Sequence, residues 1–405
     1  MEMINKLEKS QQKNWNDFCQ SIEENIDQDS FEKYIAVKDI LLSFGVRDTV
    51  INAIEKGCRH QDWKEAIIAF SNSYHDDVCF YAGPMTPNER LDYKNGLILL
   101  KKSDLSQPIN DKIHKNMSSI GLRLFGSPCD FGGRRVELYN VISSAGSMVQ
   151  KTPPIALFTP FYLKGWKELG DQNLQRRTIL FHSAVKDRFL TKTYPKAKQR
   201  FKMDDKIFDL DEIDNDQLNE AIALWLLLHE MMHASGPLPL FGAKVQKLPL
   251  GKLYGAIEEA RVDMSVWTIL HHCEDILGKS AQTAKYIILM ERLFRSSLLG
   301  SNLQGKPVGA EGEHGLFWVN LLLGQNVGSL DTEGNVSLRA DDIQRSLMTF
   351  LGEVYESESS ATDNDKDEGR QILEDLSSRL RERYLSDKNI NFHMNENWIQ
   401  RIAQA

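Results

Sequence analysis

Apolar residues recur at helical spacing through the first 75 positions. Trp15, Phe18, Ile22 and Ile26 mark one stripe, and Ile35 to Phe44 and Val50 to Ala69 give further short helices. The pattern predicts a helical N-terminal lobe over 1–94, with Pro84 to Arg90 as a turn into a helix capped by Thr86. Between 95 and 209 the pattern changes. Gly96–Leu100, Val136–Ile142, Ile155–Phe158 and Thr178–His182 are short apolar or alternating runs, and Gly132-Gly133 and Pro153-Pro154 punctuate them. A small sheet in a mixed α/β region is expected there, with an edge that could take an extended backbone as an added strand. Phe201 to Asp216 is polar and acidic and reads as a solvated approach rather than a calcium loop.

From 210 onward the helical period returns. Ala221 to Leu228 is apolar nearly all round, as in a buried helix. Asp214, Asn215 or Asp216 can cap its start, and Gly236-Pro237 stops it. Gly236 to Gly251, with three prolines, reads as a loop beside the site, and Lys279 to Leu299 as an amphipathic helix with Arg292 and Arg295 on its solvated side. Gly300 to Gly312 is a glycine-containing loop, Glu356 to Glu368 an acidic mobile connection, and Ile372 to Tyr384 a charged helix. The class expected is α+β, mainly α: a helical domain over 210–405 with a small β-sheet upstream.

Composition narrows the functions open to such a chain. It has 405 residues, 41% hydrophobic and 26% charged, with a net charge of -8 and no long basic run. Nucleic acid and acidic membrane surfaces are therefore not expected as partners. No apolar stretch near the central helix is long enough to span a bilayer. The charged start, Met1 to Lys9, has no apolar signal core. Five scattered cysteines make no CxxC, which suits a reducing cytoplasm. No pattern in the sequence encodes an oligomeric state.

The chemistry concentrates in the central helix. His229-Glu230-Met231-Met232-His233 reads HExxH. Residues i and i+4 share a helix face, so both imidazoles can address one ion while Glu230 faces what the ion holds. A catalytic zinc wants a third protein ligand. The next helix offers Glu258, Glu259 and Asp263. Glu259 suits the third ligand, with Asp263 at i+4 to accept the outer N–H of a ligating histidine. Glu258 competes as ligand but has no acid four residues on.

HExxH followed on the next helix by ExxxD resembles the zinc metallopeptidases whose third ligand is a glutamate, the gluzincins. The doubled Glu258-Glu259 resembles more closely the dipeptidyl peptidase III family. That resemblance covers roughly 210–385 and implies a zinc peptidase in which Glu230 is general base towards a water activated by the ion. It also implies a later histidine that steadies the tetrahedral intermediate. Glu313-His314-Gly315-Leu316-Phe317-Trp318 has that form, so His314 is the first candidate and Tyr254 the second. The family writes its motif HExxGH, whereas this chain has HEMMH and is shorter than usual members.

The substrate expected is a peptide, or alternatively a small amide. A different chemistry, a carboxylate di-iron oxidase or oxygenase, would use the two ExxH motifs Glu230–His233 and Glu311–His314. Against it, Glu311 lies in a Gly-rich stretch and His229 would have no task. A non-enzymatic binding module would have no need of Glu230. His182, His271, His272 and His393 read as structural.

Overall fold

A computed structural model describes residues 2–24, 28–86, 92–126, 136–149, 155–169, 178–238, 252–296, 309–324, 327–331, 333 and 335–385. The chain divides into two compact units. One comprises Met1–Gln107 and Val136–Val185, the other Pro108–Arg135 and Lys186–Ala405.

In the first unit, helices α1 (Lys9–Glu24), α2 (Gln28–Ser43), α3 (Asp48–His60) and α4 (Lys64–Ser71) precede strands β1 (Val78–Met85) and β2 (Lys94–Lys102). Helix α5 (Ser106–Phe125), nearly all of which belongs to the second unit, follows in sequence; β3 (Glu137–Gly146), β4 (Ala156–Phe158) and β5 (Thr178–Phe181) then complete the first unit. The strands form one mixed sheet in the order β1-β2-β3-β5-β4, with only β3 and β5 parallel. Leu97 to Leu100 are buried, as a central strand covered on both sides requires. The α1 stripe packs into the same core, and Trp15 donates its indole N–H to Ser143 on β3 at 3.1 Å. Gly146 closes β3 with φ +61°, where a Cβ would meet the Asn95 carbonyl oxygen at 2.4 Å.

All four sequence-expected strands are present. The turn expected at Pro84 is instead the end of β1, and Thr86 is buried just beyond it; 87–90 lie outside the described residues. A proline fits there because β1 is an edge strand.

The second unit is mainly helical and includes a small sheet. Strands β6 (Phe201–Met203) and β7 (Lys206–Ile207) form a hairpin whose two turn residues, Asp204 and Asp205, both have positive φ. Helices α6 (Asn215–Met232), α7 (Lys252–His272), α8 (Lys279–Glu291) and α9 (Gly309–Val319) come next. Strands β8 (Ser329–Leu330) and β9 (Val336–Leu338) complete the sheet, in the order β7-β6-β9-β8. Helices α10 (Ala340–Asp363) and α11 (Lys366–Leu385) end the described chain.

This corrects two expectations. The acidic approach contains a hairpin. The acidic connection at 356–368 is mostly helix: Val354, Glu358 and Ala361 fall on one buried stripe of α10, so its composition describes only the outer face. No described helix is long and apolar enough to cross a membrane.

Candidate metal centre

Asp214 caps α6, its side chain accepting the Gln217 N–H at 2.6 Å. From Ala221 to Leu228 every side chain is buried, which fixes the helix on all sides and with it the direction of the motif at its end. His233 follows the last residue of α6 but keeps helical geometry, its N–H reaching the His229 carbonyl. The two rings therefore lie on one face. Gly236, at φ +90°, then turns the chain; a Cβ there would sit 3.1 Å from Arg261 Nη1.

Helix α7 runs against this end with three acids in reach. His229 Nδ1 lies 2.7 Å from Asp263 Oδ1, and His233 Nδ1 lies 2.5 Å from Glu258 Oε1. Each carboxylate accepts a hydrogen bond from the Nδ1–H of its ring, so each Nε2 presents a lone pair. The two Nε2 atoms face one another at 3.2 Å. Glu259 completes the triangle, with Oε2 at 3.3 Å from His229 Nε2 and Oε1 at 3.8 Å from His233 Nε2.

Two lone pairs that close need a positive charge between them, a proton or a metal ion. The distances favour a metal: ligands about 2.0–2.1 Å from a tetrahedral zinc are separated by about 3.3 Å. Among the described residues, His229, His233 and Glu259 are the one group of this kind, all three donor atoms within 4.8 Å of one another.

The electrostatics agree. Burial opposes charge on His229, but Asp263 and Glu259 overcome it and raise its pKa well above the ordinary value. Burial likewise opposes charge on His233, and Glu258 and Glu259 outweigh it. Burial would push Glu259 up, yet His233 and His229 hold it below the usual carboxylate range. The pocket stabilises positive charge.

Because both imidazoles hold protons to a higher pH than free histidine, metal must displace those protons. Zinc affinity is accordingly expected to fall progressively as pH drops below the raised histidine values, and to level off above them. Competition titrations with a chelator across pH would show this. An affinity flat down to pH 5 would contradict it.

Asp263 is fully enclosed, and its second oxygen accepts Arg292 Nε at 2.5 Å while Oδ1 also accepts Trp225 Nε1 at 3.1 Å. Arg292 stacks over the Trp225 ring, its guanidinium carbon 5.5 Å from the centroid. Burial would raise the Asp263 pKa; Arg292 and then His229 hold it well below its normal value. Arg292 opens a π-helical turn, Arg292–Ser296, which continues α8. It is buried, not solvated as its place in an amphipathic pattern suggests, and so is a residue that the sequence reading missed. Glu258 was also missed: it is the partner of His233, not a rival ligand.

Glu230 is buried between the two histidines on α6. His314 is buried on α9, its Nε2 accepting from Trp318 Nε1 at 3.0 Å and lying 3.6 Å from Asp263 Oδ2. Burial and then Arg292 push its pKa down to about 3, so the ring is neutral and its proton sits on Nδ1.

Tyr254, the other oxyanion candidate, is placed differently. Its hydroxyl donates to Glu358 Oε1 at 2.7 Å, and burial followed by Glu358 raises its pKa. Glu311 lies within α9 rather than in a loop, which removes one of the two objections to a di-iron reading. The other is strengthened, since His229 and His233 address one point together. The remaining histidines are held structurally where described: His271 stacks on Trp267 and His272 contacts Gln344, while His393 lies outside the described residues. So do 239–251 and 297–308, most of the two loops expected beside the site.

Comparison with solved structures bears on this arrangement. The chain superposes on dipeptidyl peptidase III from Caldithrix abyssi with a TM-score of 0.62, covering 91% of this chain and 69% of that one. Its fold is that of dipeptidyl peptidase III. The same protein from Corallococcus sp. strain EGB gives a TM-score of 0.51, with coverage of 92% and 70%. Sequence identity is 14% in both cases, so these likenesses speak for the fold alone. No protein-family model matches the chain, and no curated protein does.

Proposed function

We propose that this protein is a zinc-dependent metallopeptidase, with His229, His233 and Glu259 as ligands. One observation carries the reading: two Nε2 lone pairs and a carboxylate converge on one point while both Nδ1 atoms are pinned by other carboxylates. That donor set suits zinc, and the pinned rings are the usual support of a zinc-ligating histidine. The shared fold and the sequence resemblance make a peptide the substrate class of choice.

When bound, zinc supplies Lewis acidity, acidifying water and polarising a carbonyl. Glu230 takes a proton from water as the carbonyl is attacked and returns it to the leaving nitrogen. His314 is the donor we assign to the developing oxyanion, as a neutral imidazole with Nδ1–H to offer. Asp263 and Glu258 hold the ligand rings. Tyr254, with its hydroxyl committed to Glu358, is given no role at the reacting atoms.

Metal content by elemental analysis, on wild type and Glu259→Ala, tests the reading. About one zinc per chain, lost or much reduced in the variant, is expected. Two irons per chain would redirect the reading to oxygen chemistry. No metal, even after zinc is added back, would leave a binding module.

A further inference from the structure

Behind His233 lies a buried chain of charges that reaches α10. Arg261, on α7, is wholly enclosed and has two carboxylates around it. Its Nε lies 3.2 Å from Glu358 Oε1, and its Nη2 lies 3.8 Å from Glu258 Oε1, the same oxygen that holds His233. Its Nη1 donates at 3.1 Å to the carbonyl of Ser235, two residues beyond His233. Glu358 is 1% exposed and also receives the Tyr254 hydroxyl. A second tie from α10 lies alongside: Tyr355 Oη and Ser265 Oγ are 2.5 Å apart, and Ser265 donates to the Arg261 carbonyl.

We propose that Glu358 is a positioning residue for the metal centre: by fixing Arg261 it sets both Glu258, which orients the His233 ring, and the backbone just after His233. The proposal rests on the zinc reading above.

The physical reason is directional. Glu258 has one oxygen shared between an imidazole N–H and a guanidinium. How far it leans to either side depends on where Arg261 is held. Glu358 is the other anion on Arg261, so it balances Glu258. Neutralising Glu358 leaves Glu258 as the only full negative charge beside the guanidinium among these groups. Glu258 is then drawn towards Arg261, and the His233 ring loses its fixed tautomer and angle.

The test uses the full chain and two metals. Glu358→Gln keeps shape and leaves an acceptor for Tyr254. It is expected to bind zinc about 10–100-fold more weakly than wild type. Its cobalt(II) form should show shifted visible bands, reporting altered ligand geometry. Leu347→Ala, a buried truncation elsewhere on α10, should lower the melting temperature while leaving zinc affinity and the cobalt spectrum unchanged.

A double variant with Glu258→Gln should lose much less affinity than the product of the two single losses, since both act on one ring. If Glu358→Gln does not fold, Tyr254→Phe, which removes one bond from Glu358, should weaken zinc binding several-fold in the same direction. Wild type that binds zinc beside a Glu358→Gln protein of equal affinity and unchanged spectrum would overturn the proposal alone. Multiplicative losses in the double variant would do the same, and so, where it is the variant in use, would a Tyr254→Phe protein of wild-type affinity. Wild type that binds no zinc would overturn this proposal and the zinc reading together.

Discussion

Glu230→Gln is expected to retain zinc and to lose about 10²–10⁴-fold in the rate of peptide hydrolysis, the usual contribution of a positioned general base. The substitution changes one oxygen to an amide nitrogen on a buried helix, so packing around α6 is kept. What goes is the ability to accept a proton. Neither histidine of the motif can stand in, because each has Nδ1 bonded to a carboxylate and Nε2 turned to the point where the two rings converge. The measurement is kcat on a peptide pool, at matched zinc content. Activity within tenfold of wild type would remove Glu230 from the mechanism.

Asp263→Ala is expected to act on stability and metal at once. The carboxylate is fully buried and receives His229, Trp225 and Arg292. Removing one partner of a buried ion pair costs about 3–5 kcal/mol, because the guanidinium loses its counter-charge where water cannot replace it. The His229 ring loses the acceptor that fixes its tautomer, and zinc affinity is expected to drop about 10–100-fold. Urea unfolding of the metal-free proteins and zinc titration read the two effects separately.

The pH dependence carries a further sign. The Asp263 pKa is depressed in the folded state, so its contribution is present above the unfolded value of 3.8 and is lost as pH falls through the folded value well below it. The variant should lack that acid-dependent part. A loss under 1 kcal/mol with unchanged zinc affinity would show that Asp263 is not a keystone.

The convergence of His229, His233 and Glu259 could be read from sequence because helical periodicity turns spacing into proximity. His229 with His233, and Glu259 with Asp263, are each separated by one helical turn, and a catalytic zinc wants a third protein ligand. What supports them could not be read in the same way. Arg292 reaches Asp263 from another helix, and nothing local distinguishes a buried arginine from a solvated one when both sit in an amphipathic pattern. Glu358 was hidden by its neighbours: an acidic, serine-rich stretch looks mobile until one sees that Val354, Glu358 and Ala361 share a stripe facing inward. Strands β2 to β5 were legible from their apolar runs, whereas β1 was not, since it lies in a stretch expected to belong to a helical lobe. The two- and three-residue strands of the second sheet carry too few positions for any period to register. Pro84 misled because proline is a turn signal in most contexts and an ordinary residue only at a sheet edge.

The ion pair between Arg261 and Glu358 also has a place in time. Glu358 stands 104 positions after Tyr254, its other partner. A ribosome adding about 5–20 residues per second delivers it some 5–20 s after the helix that bears Arg261. For that interval the guanidinium destined for full enclosure has only water and the nearer acids around it, and α7 has no α10 to close over it. The candidate metal centre of a nascent chain is therefore unfinished although His229, His233 and Glu259 have all been made.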